Sequence, residues 1–165
     1  MKKPIIAVVT ILTTALIMSS LALCIIFPNK YAEEIKEAAE EFGLSKALVK
    51  SVVWAESGFD RRATSAKGAK GLMQLMPETF DMCSSVLGIN GADIYDVNAS
   101  LRCGCYYLSL MLDKFDGDES AALMAYNAGE KNAKRFLAGE EVFPETQNYI
   151  RRISRAQKVY GLLLT

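Results

Sequence analysis

An uncharged apolar segment near the start of the chain limits its fold more than any other feature. It runs from Ile5 to Phe27 without a charge, 23 residues in all. A helix rises about 1.5 Å per residue, so a segment of this length crosses a bilayer core of roughly 30 Å. The segment therefore predicts one transmembrane helix within residues 1–29, followed by a separate domain of residues 30–165.

The segment could also be a cleaved signal sequence, but it fits an anchor better. Signal sequences have shorter apolar regions and end at a small-x-small cleavage site, which is not evident near Phe27. The stretch "LALC" is similar to a lipoprotein processing box, but Leu23 stands where a small residue is expected. We therefore expect an uncleaved anchor. Lys2 and Lys3 favour a cytoplasmic N-terminus, which leaves residues 30–165 outside the membrane.

The composition of the chain excludes several classes of function. Lysine and arginine total 19, aspartate and glutamate total 19, and no basic stripe suggests nucleic-acid binding. The chain contains no histidine, which excludes Ser–His and Cys–His nucleophilic sites and the usual zinc hydrolases. Proton transfer must then use Asp, Glu, Tyr, Lys or Cys. We find no set of metal ligands and expect no metal or cofactor.

Residues 31–160 show helical periodicity, without convincing strand pairs. Gly43 is expected to close the first helix, Ser45 to cap the second, Asp96 or Asn98 the fourth, Asp118 the fifth and Thr146 the last. The predicted helices cover about residues 31–42, 46–57, 77–86, 98–115, 119–128, 130–138 and 147–160. The domain is therefore expected to be mainly α, with an ordered loop of functional length at 58–76.

Three cysteines lie in the predicted domain, and two interpretations of them stay open. Cys83 could form a disulfide with Cys103 or with Cys105 outside the membrane. Alternatively, all three are small buried apolar residues.

Glu56 is the strongest candidate for a catalytic group. It follows the run "ALVKSVVWA" and comes two residues after Trp54, the only tryptophan. A carboxyl held against apolar surface has its ionised form disfavoured, so its pKa rises. It can then stay protonated near neutral pH and donate a proton to a leaving oxygen. The alternative is a carboxylate at a helix end that points into water.

Three segments interrupt the helical pattern with amides and aromatic rings: "GLMQLMP" (71–77), "AYNAG" (125–129) and "ETQNY" (145–149). Gln74 and Asn127 carry amides that suit hydroxyl and N-acetyl groups, and Tyr126 and Tyr149 carry rings and hydroxyls. This combination suits a sugar polymer, because sugar faces are apolar and their edges form hydrogen bonds. Turn-forming amides and packed core tyrosines are the alternatives.

The ordered set "ESGFD", "SAKGAKGLMQLMPET", "AYNAG" and "ETQNYIRRI" resembles domains of the soluble lytic transglycosylase (SLT) family, over about residues 31–162. The resemblance implies a lysozyme-like fold and cleavage of peptidoglycan glycan strands. It also implies that Glu56 is the single catalytic acid and base. The residues that would contact substrate or help to position it are Ser57, Met73, Gln74, Ala125, Tyr126, Asn127, Glu145 and Tyr149.

The same resemblance implies a reaction without water. Glu56 would protonate the oxygen that leaves a β-1,4-linked N-acetylmuramic acid (MurNAc). The substrate's N-acetyl group would assist departure, and its C6 hydroxyl would then attack C1. The product would be a 1,6-anhydro-MurNAc end. The predicted place of action is outside the cell membrane, facing the cell wall. Analogy with small domains of this type suggests partner machines for secretion, conjugation or sporulation.

Two other functions fit the same chain. A hydrolytic muramidase on this fold would need a second carboxylate at about 6–10 Å from Glu56 to activate water. A degenerate wall-binding or scaffold protein would need no acid at position 56, so the presence of Glu56 argues against it.

Overall fold

A computed structural model describes residues 11–18, 21, 25–141 and 143–163. The chain divides into two units, Met1–Lys30 and Tyr31–Thr165. Much of the predicted anchor lies outside the described residues, although residues 11–18 are helical. In the part of the chain that is described, no helix has the length and apolar character to cross a membrane.

Helices dominate the unit Tyr31–Thr165, as the periodicity predicts. They are α1 (Ala32–Glu41), α2 (Lys46–Ser57), α3 (Pro77–Val86), α4 (Val97–Lys114), α5 (Glu119–Ala128), α6 (Glu130–Leu137) and α7 (Pro144–Leu163). Extended pairing within the described residues is limited to two isolated antiparallel bridges, Thr64 with Lys70 and Lys70 with Leu75. Both bridges lie in the loop between α2 and α3.

Side-chain caps begin three of these helices where the sequence predicts them. The side chains of Ser45, Asp96 and Asp118 each accept a hydrogen bond from the backbone N–H three residues later. These bonds satisfy donors that the first turn of a helix leaves unpaired. The predicted cap at Thr146 is wrong. The last helix begins at Pro144, because proline suits the first helical turn, where its missing N–H costs no hydrogen bond.

The core forms where the apolar faces of these helices meet. Helix α2 packs along α7, and α4 contacts α1, α3 and α5. Val49, Val52 and Val53 on α2 are completely buried, as is Ile153 on α7. Because Glu56 ends α2 and Tyr149 lies near the start of α7, this packing fixes the relative positions of these two residues.

The three described cysteines are free and buried, and no disulfide joins them. Cys83 on α3 and Cys103 on α4 belong to one apolar cluster with Phe80 and Leu75. Burial raises the pKa of the Cys83 thiol to about 11 and that of Cys103 to about 12, so both stay protonated. The structure therefore supports the interpretation of these cysteines as small apolar core residues.

Candidate active site

A cavity of about 880 Å³ lies against the end of α2, and Glu56 is part of its wall. The loop between α2 and α3, the last turn of α5 with the following Gly129, and the start of α7 supply most of the remaining wall. The lining comprises Glu56, Ser65, Ala66, Lys67, Ala69, Gln74, Leu75, Met76, Thr79, Tyr107, Ala125, Tyr126, Asn127, Ala128, Gly129, Asn132, Phe143, Glu145 and Thr146. The volume lies in the upper part of the range for ligand sites.

Glu56 is half-buried, and its carboxyl group meets both protein and cavity. Burial raises the pKa of this carboxyl from 4.5 to about 7. Two neighbours oppose that rise: a hydrogen bond from Tyr149 and the positive charge of Arg152. Burial outweighs both, because taking a carboxylate out of water disfavours its charge more strongly than these contacts restore it. The carboxyl is thus poised to give and take a proton near neutral pH.

Tyr149 holds the carboxyl group in place. Its hydroxyl donates a hydrogen bond of 2.6 Å to Oε1 of Glu56, across 93 residues of sequence. Burial and the charge of Glu56 raise the pKa of Tyr149 well above its usual value. The hydroxyl therefore stays protonated and remains a donor. Arg152, one turn further along α7, stacks over the ring of Trp54 at 5.2 Å from its centroid.

The "GLMQ" turn presents Gln74 to the cavity. Gly71 has φ +78°, and a Cβ there would lie 2.4 Å from the Ile94 carbonyl oxygen, so only glycine fits. Gln74 itself has φ +49°. Its amide nitrogen donates to the carbonyl oxygens of Ala63 at 3.1 Å and Gly71 at 3.0 Å. The amide oxygen is left as the side-chain atom that can accept a hydrogen bond from a ligand.

Two contacts fix the position of this turn, one with Tyr126 and one with Gly104. The Tyr126 hydroxyl donates to the backbone oxygen of Met73 at 2.8 Å. The Met73 side chain lies directly on Gly104 of α4, where an added Cβ would be 2.3 Å from its sulfur. The turn is therefore fixed by a hydrogen bond on one side and by a close helix approach on the other.

The structure brings most of the predicted residues to one cavity, but not all. Gln74, Ala125, Tyr126, Asn127 and Glu145 line it together with Glu56. Three others do not line it. Met73 is completely buried, so its side chain is not part of the cleft wall as we expected. The Ser57 hydroxyl donates to the Val53 carbonyl at 3.2 Å, and Tyr149 is buried behind Glu56.

Sequence reasoning missed several residues of this wall. Lys67 and Phe143 belong to loops whose course the helical periodicity does not define. Tyr107 lies within the helix predicted at about 98–115, but the periodicity does not show that this residue reaches the cavity. Lys67 does carry a signal, because it lies inside the quoted "SAKGAKG" segment. Phe143 lies directly before α7 and is 61% exposed, a position that the sequence does not predict.

Comparisons with known proteins agree with this geometry. Residues 33–148 match the family described as "Transglycosylase SLT domain". The "Transglycosylase" of Enterobacteria phage PRD1 is 40% identical over 101 residues, which cover 61% of this chain and 36% of that protein. The "Peptidoglycan transglycosylase gp16" of Escherichia phage T7 is 31% identical over 138 residues, which cover 76% of this chain and 10% of that protein.

A solved structure shows the same architecture. An inactive mutant of the lytic transglycosylase Slt from Pseudomonas aeruginosa superposes with a TM-score of 0.80 at 29% identity. The match covers 86% of this chain and 25% of that one. The predicted mainly helical, lysozyme-like fold of the domain is thereby confirmed. This chain spans about a third or less of the length of these three proteins.

Proposed function

Because the chain belongs to the transglycosylase SLT domain family, we propose that it is a lytic transglycosylase that cleaves peptidoglycan glycan strands. One observation carries the proposal. Glu56 lies in the wall of the cavity, half-buried and held by Tyr149, with its pKa raised to about 7. A single group of this kind can act first as an acid and then as a base without leaving the physiological pH range.

The proposed reaction uses one proton twice. Protonated Glu56 gives its proton to the oxygen that links MurNAc to the next sugar, and the C1–O bond breaks. The substrate's N-acetyl oxygen stabilises the positive charge that develops at C1. Glu56, now a carboxylate, takes the proton of the C6 hydroxyl as that oxygen bonds to C1. The attack is intramolecular, which gives the hydroxyl a high effective concentration.

The residues of the site have separate tasks in this scheme. Tyr149 orients the Glu56 carboxyl and stabilises its charged form between the two proton transfers. The Gln74 amide oxygen, Asn127 and Glu145 are positioned to hydrogen-bond substrate hydroxyl and N-acetyl groups, and the Tyr126 ring and Ala125 contribute apolar wall. Ser57 and Met73 act from behind the wall. No cofactor or metal takes part in these steps.

A hydrolytic muramidase is the second candidate, because a second carboxylate lies in the same cavity. Glu145 is exposed at the start of α7 and lines the wall together with Glu56. It would be the group that activates water in a hydrolytic reaction. In a lytic reaction Glu145 binds substrate and is not needed for chemistry.

We also propose that residues 1–29 anchor the domain to the cell membrane, with residues 30–165 facing the wall. The charge-free run from Ile5 to Phe27 and the lysines before it support this placement. An anchored enzyme of this kind would open the wall locally. We propose that its partner is a machine for secretion, conjugation or sporulation, because such an assembly would need an opening of this kind.

Digestion of isolated peptidoglycan tests the proposed activity. The full-length protein, purified in detergent, should release fragments whose muramic ends are one water lighter than hydrolysis products. Glu56→Gln should bind the polymer and release nothing, because an amide cannot donate the proton. Glu78→Gln is the matched control, since Glu78 is exposed and does not line the cavity. Ordinary reducing ends that disappear in Glu145→Gln would favour the muramidase, and cleavage by Glu56→Gln would contradict both assignments.

A further inference from the structure

Lys67 is the one cation among the described residues that line the cavity. Its side chain is exposed, and it forms no ion pair with any acid in the described part of the chain. Lysines on protein surfaces are usually solvated and need no explanation. This one differs because it lies in the same wall as the proposed catalytic acid.

The turn that carries Lys67 is held firmly. Ser65 accepts hydrogen bonds on its carbonyl from Gly68 at 3.0 Å and on its hydroxyl from Ala69 at 3.0 Å, and its own N–H donates to the Ala69 carbonyl at 2.9 Å. The bridge between Thr64 and Lys70 closes the base of the turn. The backbone of Lys67 is therefore placed before a ligand arrives, which lowers the entropy that binding must overcome.

The charges in the cavity are otherwise acidic. Among the described residues of its wall, Glu56 and Glu145 are the other two that carry a charge. A substrate that carried only hydroxyl and N-acetyl groups would offer the Lys67 ammonium nothing beyond weak polar contacts. A substrate with carboxylates would meet repulsion from Glu145 and, once it is ionised, from Glu56, except near Lys67. Within this wall, the charges therefore favour a carboxylate of the substrate only near Lys67.

We propose that Lys67 binds a free carboxylate of the peptide stem that the muramic acid residues of the substrate carry, and so makes the enzyme selective for stem-bearing glycan. This inference rests on the proposed function. In intact peptidoglycan the lactyl carboxyl is bonded to the stem as an amide, so the free carboxylates near the glycan belong to the stem. Lys67 is a substrate-binding residue in this account and takes no part in proton transfer.

The test compares two substrates that differ only in charge. Soluble glycan fragments with intact stems are digested beside the same fragments whose stem carboxylates have been converted to neutral amides. Wild-type protein should show a KM about fivefold lower for the charged substrate with kcat unchanged, which is the order expected for one ion pair that stays exposed to solvent. KM should carry the effect, because the contact is the same in ground and transition states.

A series of charge variants at position 67 isolates the contact. Lys67→Gln should raise KM for the charged substrate to the value for the amidated one, Lys67→Arg should keep the preference, and Lys67→Glu should reverse it. Lys70→Gln is the matched control: Lys70 lies in the same loop, over the Tyr95 ring at 6.0 Å, and does not line the cavity. It should behave as wild type.

The outcomes separate this inference from the proposed function. Equal KM values for the two substrates in wild-type protein, or a preference that survives Lys67→Gln, would overturn the role of Lys67 and leave the proposed activity standing. Failure of wild-type protein to cleave either substrate would overturn the proposed activity itself, and with it this inference.

Discussion

At the scale of single residues, the proposed activity depends on the balance of forces on one carboxyl group. Burial disfavours the charge on Glu56, whereas the Tyr149 hydroxyl and the Arg152 guanidinium favour it. Full burial without these partners would keep the group neutral and prevent it from acting as a base. Full exposure would keep it ionised and prevent it from acting as an acid. The intermediate position yields a pKa of about 7, which suits both steps.

The first prediction concerns stability, because the raised pKa has a cost for the folded state. The folded pKa of about 7 lies above the ordinary value of 4.5. Between these pH values the folded protein holds a proton that the unfolded chain has lost, so stability falls as pH rises through this window. Glu56→Gln cannot ionise and escapes the cost. We expect its free energy of unfolding, relative to wild type, to increase by about 2–3 kcal/mol between pH 4.5 and pH 8.

Urea unfolding of the two proteins at both pH values measures this difference. Glu78→Gln controls for the loss of a surface carboxylate and should track wild type. A gap between Glu56→Gln and wild type that stays constant with pH would mean that the Glu56 carboxyl is not desolvated in the folded state.

The second prediction concerns Tyr149, whose hydroxyl stabilises the charged carboxylate. Tyr149→Phe removes that donor, so the pKa of Glu56 should rise further. Because the reaction begins with protonated Glu56, kcat/KM of wild type should fall as pH rises through about 7. In the variant this fall should move to higher pH, and kcat should drop by roughly tenfold or more because the carboxyl is no longer oriented.

A pH profile of kcat/KM for both proteins checks the shift. Tyr106→Phe is a suitable control, since the Tyr106 ring packs on Phe42 at 5.8 Å, away from the cavity wall. An unchanged midpoint in Tyr149→Phe would show that the hydrogen bond does not tune Glu56.

At the scale of elements, one close contact between a helix and a turn shapes the cleft. Gly104 lies in the middle of α4, where glycine normally weakens a helix by about 1 kcal/mol relative to alanine. Its presence is explained by Met73, whose side chain fills the space that a Cβ would need. The "GLMQ" turn can therefore sit directly on α4, and Gln74 reaches the cavity wall.

The third prediction uses this contact. Gly104→Ala should destabilise the fold by about 1–3 kcal/mol, because the new methyl group would force Met73 to move. It should also lower kcat/KM, since the displaced turn carries Gln74. Gly161 on α7 provides the opposite control, because apart from the adjacent residues and the backbone of its own helix, no described heavy atom lies within 4 Å of a Cβ added there. Gly161→Ala should leave activity unchanged and raise stability slightly through its better helix propensity.

Thermal unfolding and cleavage assays of the two alanine variants measure both effects. If Gly104→Ala matched Gly161→Ala in stability and activity, the turn would not depend on its close approach to α4.

At the scale of the whole molecule, the site joins segments that are distant in sequence. Helix positions and their caps could be predicted, because periodicity and capping are local properties: α2 and α3 have the expected bounds. The sequence predicts the start of α7 wrongly. Thr146 is a good capping residue, but the helix begins two residues earlier, at Pro144. The outward or inward direction of Met73 could not be predicted, because it depends on the approach of α4.

Long-range contacts explain why other features of the site could not be predicted from the sequence. The hydrogen bond between Tyr149 and Glu56 spans 93 residues, and only the packing of α2 along α7 creates it. The resemblance to a family named both residues, but the sequence by itself does not show that one holds the other. Lys67 was missed for the same reason, since its place in the wall depends on how the loop folds back beside Glu56.

The most direct test of the central claim identifies the oxygen atom that forms the new bond to C1 of the muramic acid. Peptidoglycan is digested by the full-length protein in water enriched in heavy oxygen, and the released fragments are analysed by mass spectrometry. Intramolecular attack by the C6 hydroxyl predicts anhydro ends that carry no heavy oxygen. Free reducing ends that each carry one heavy oxygen atom would show that water is the nucleophile, and would contradict a lytic reaction with Glu56 as its single acid and base.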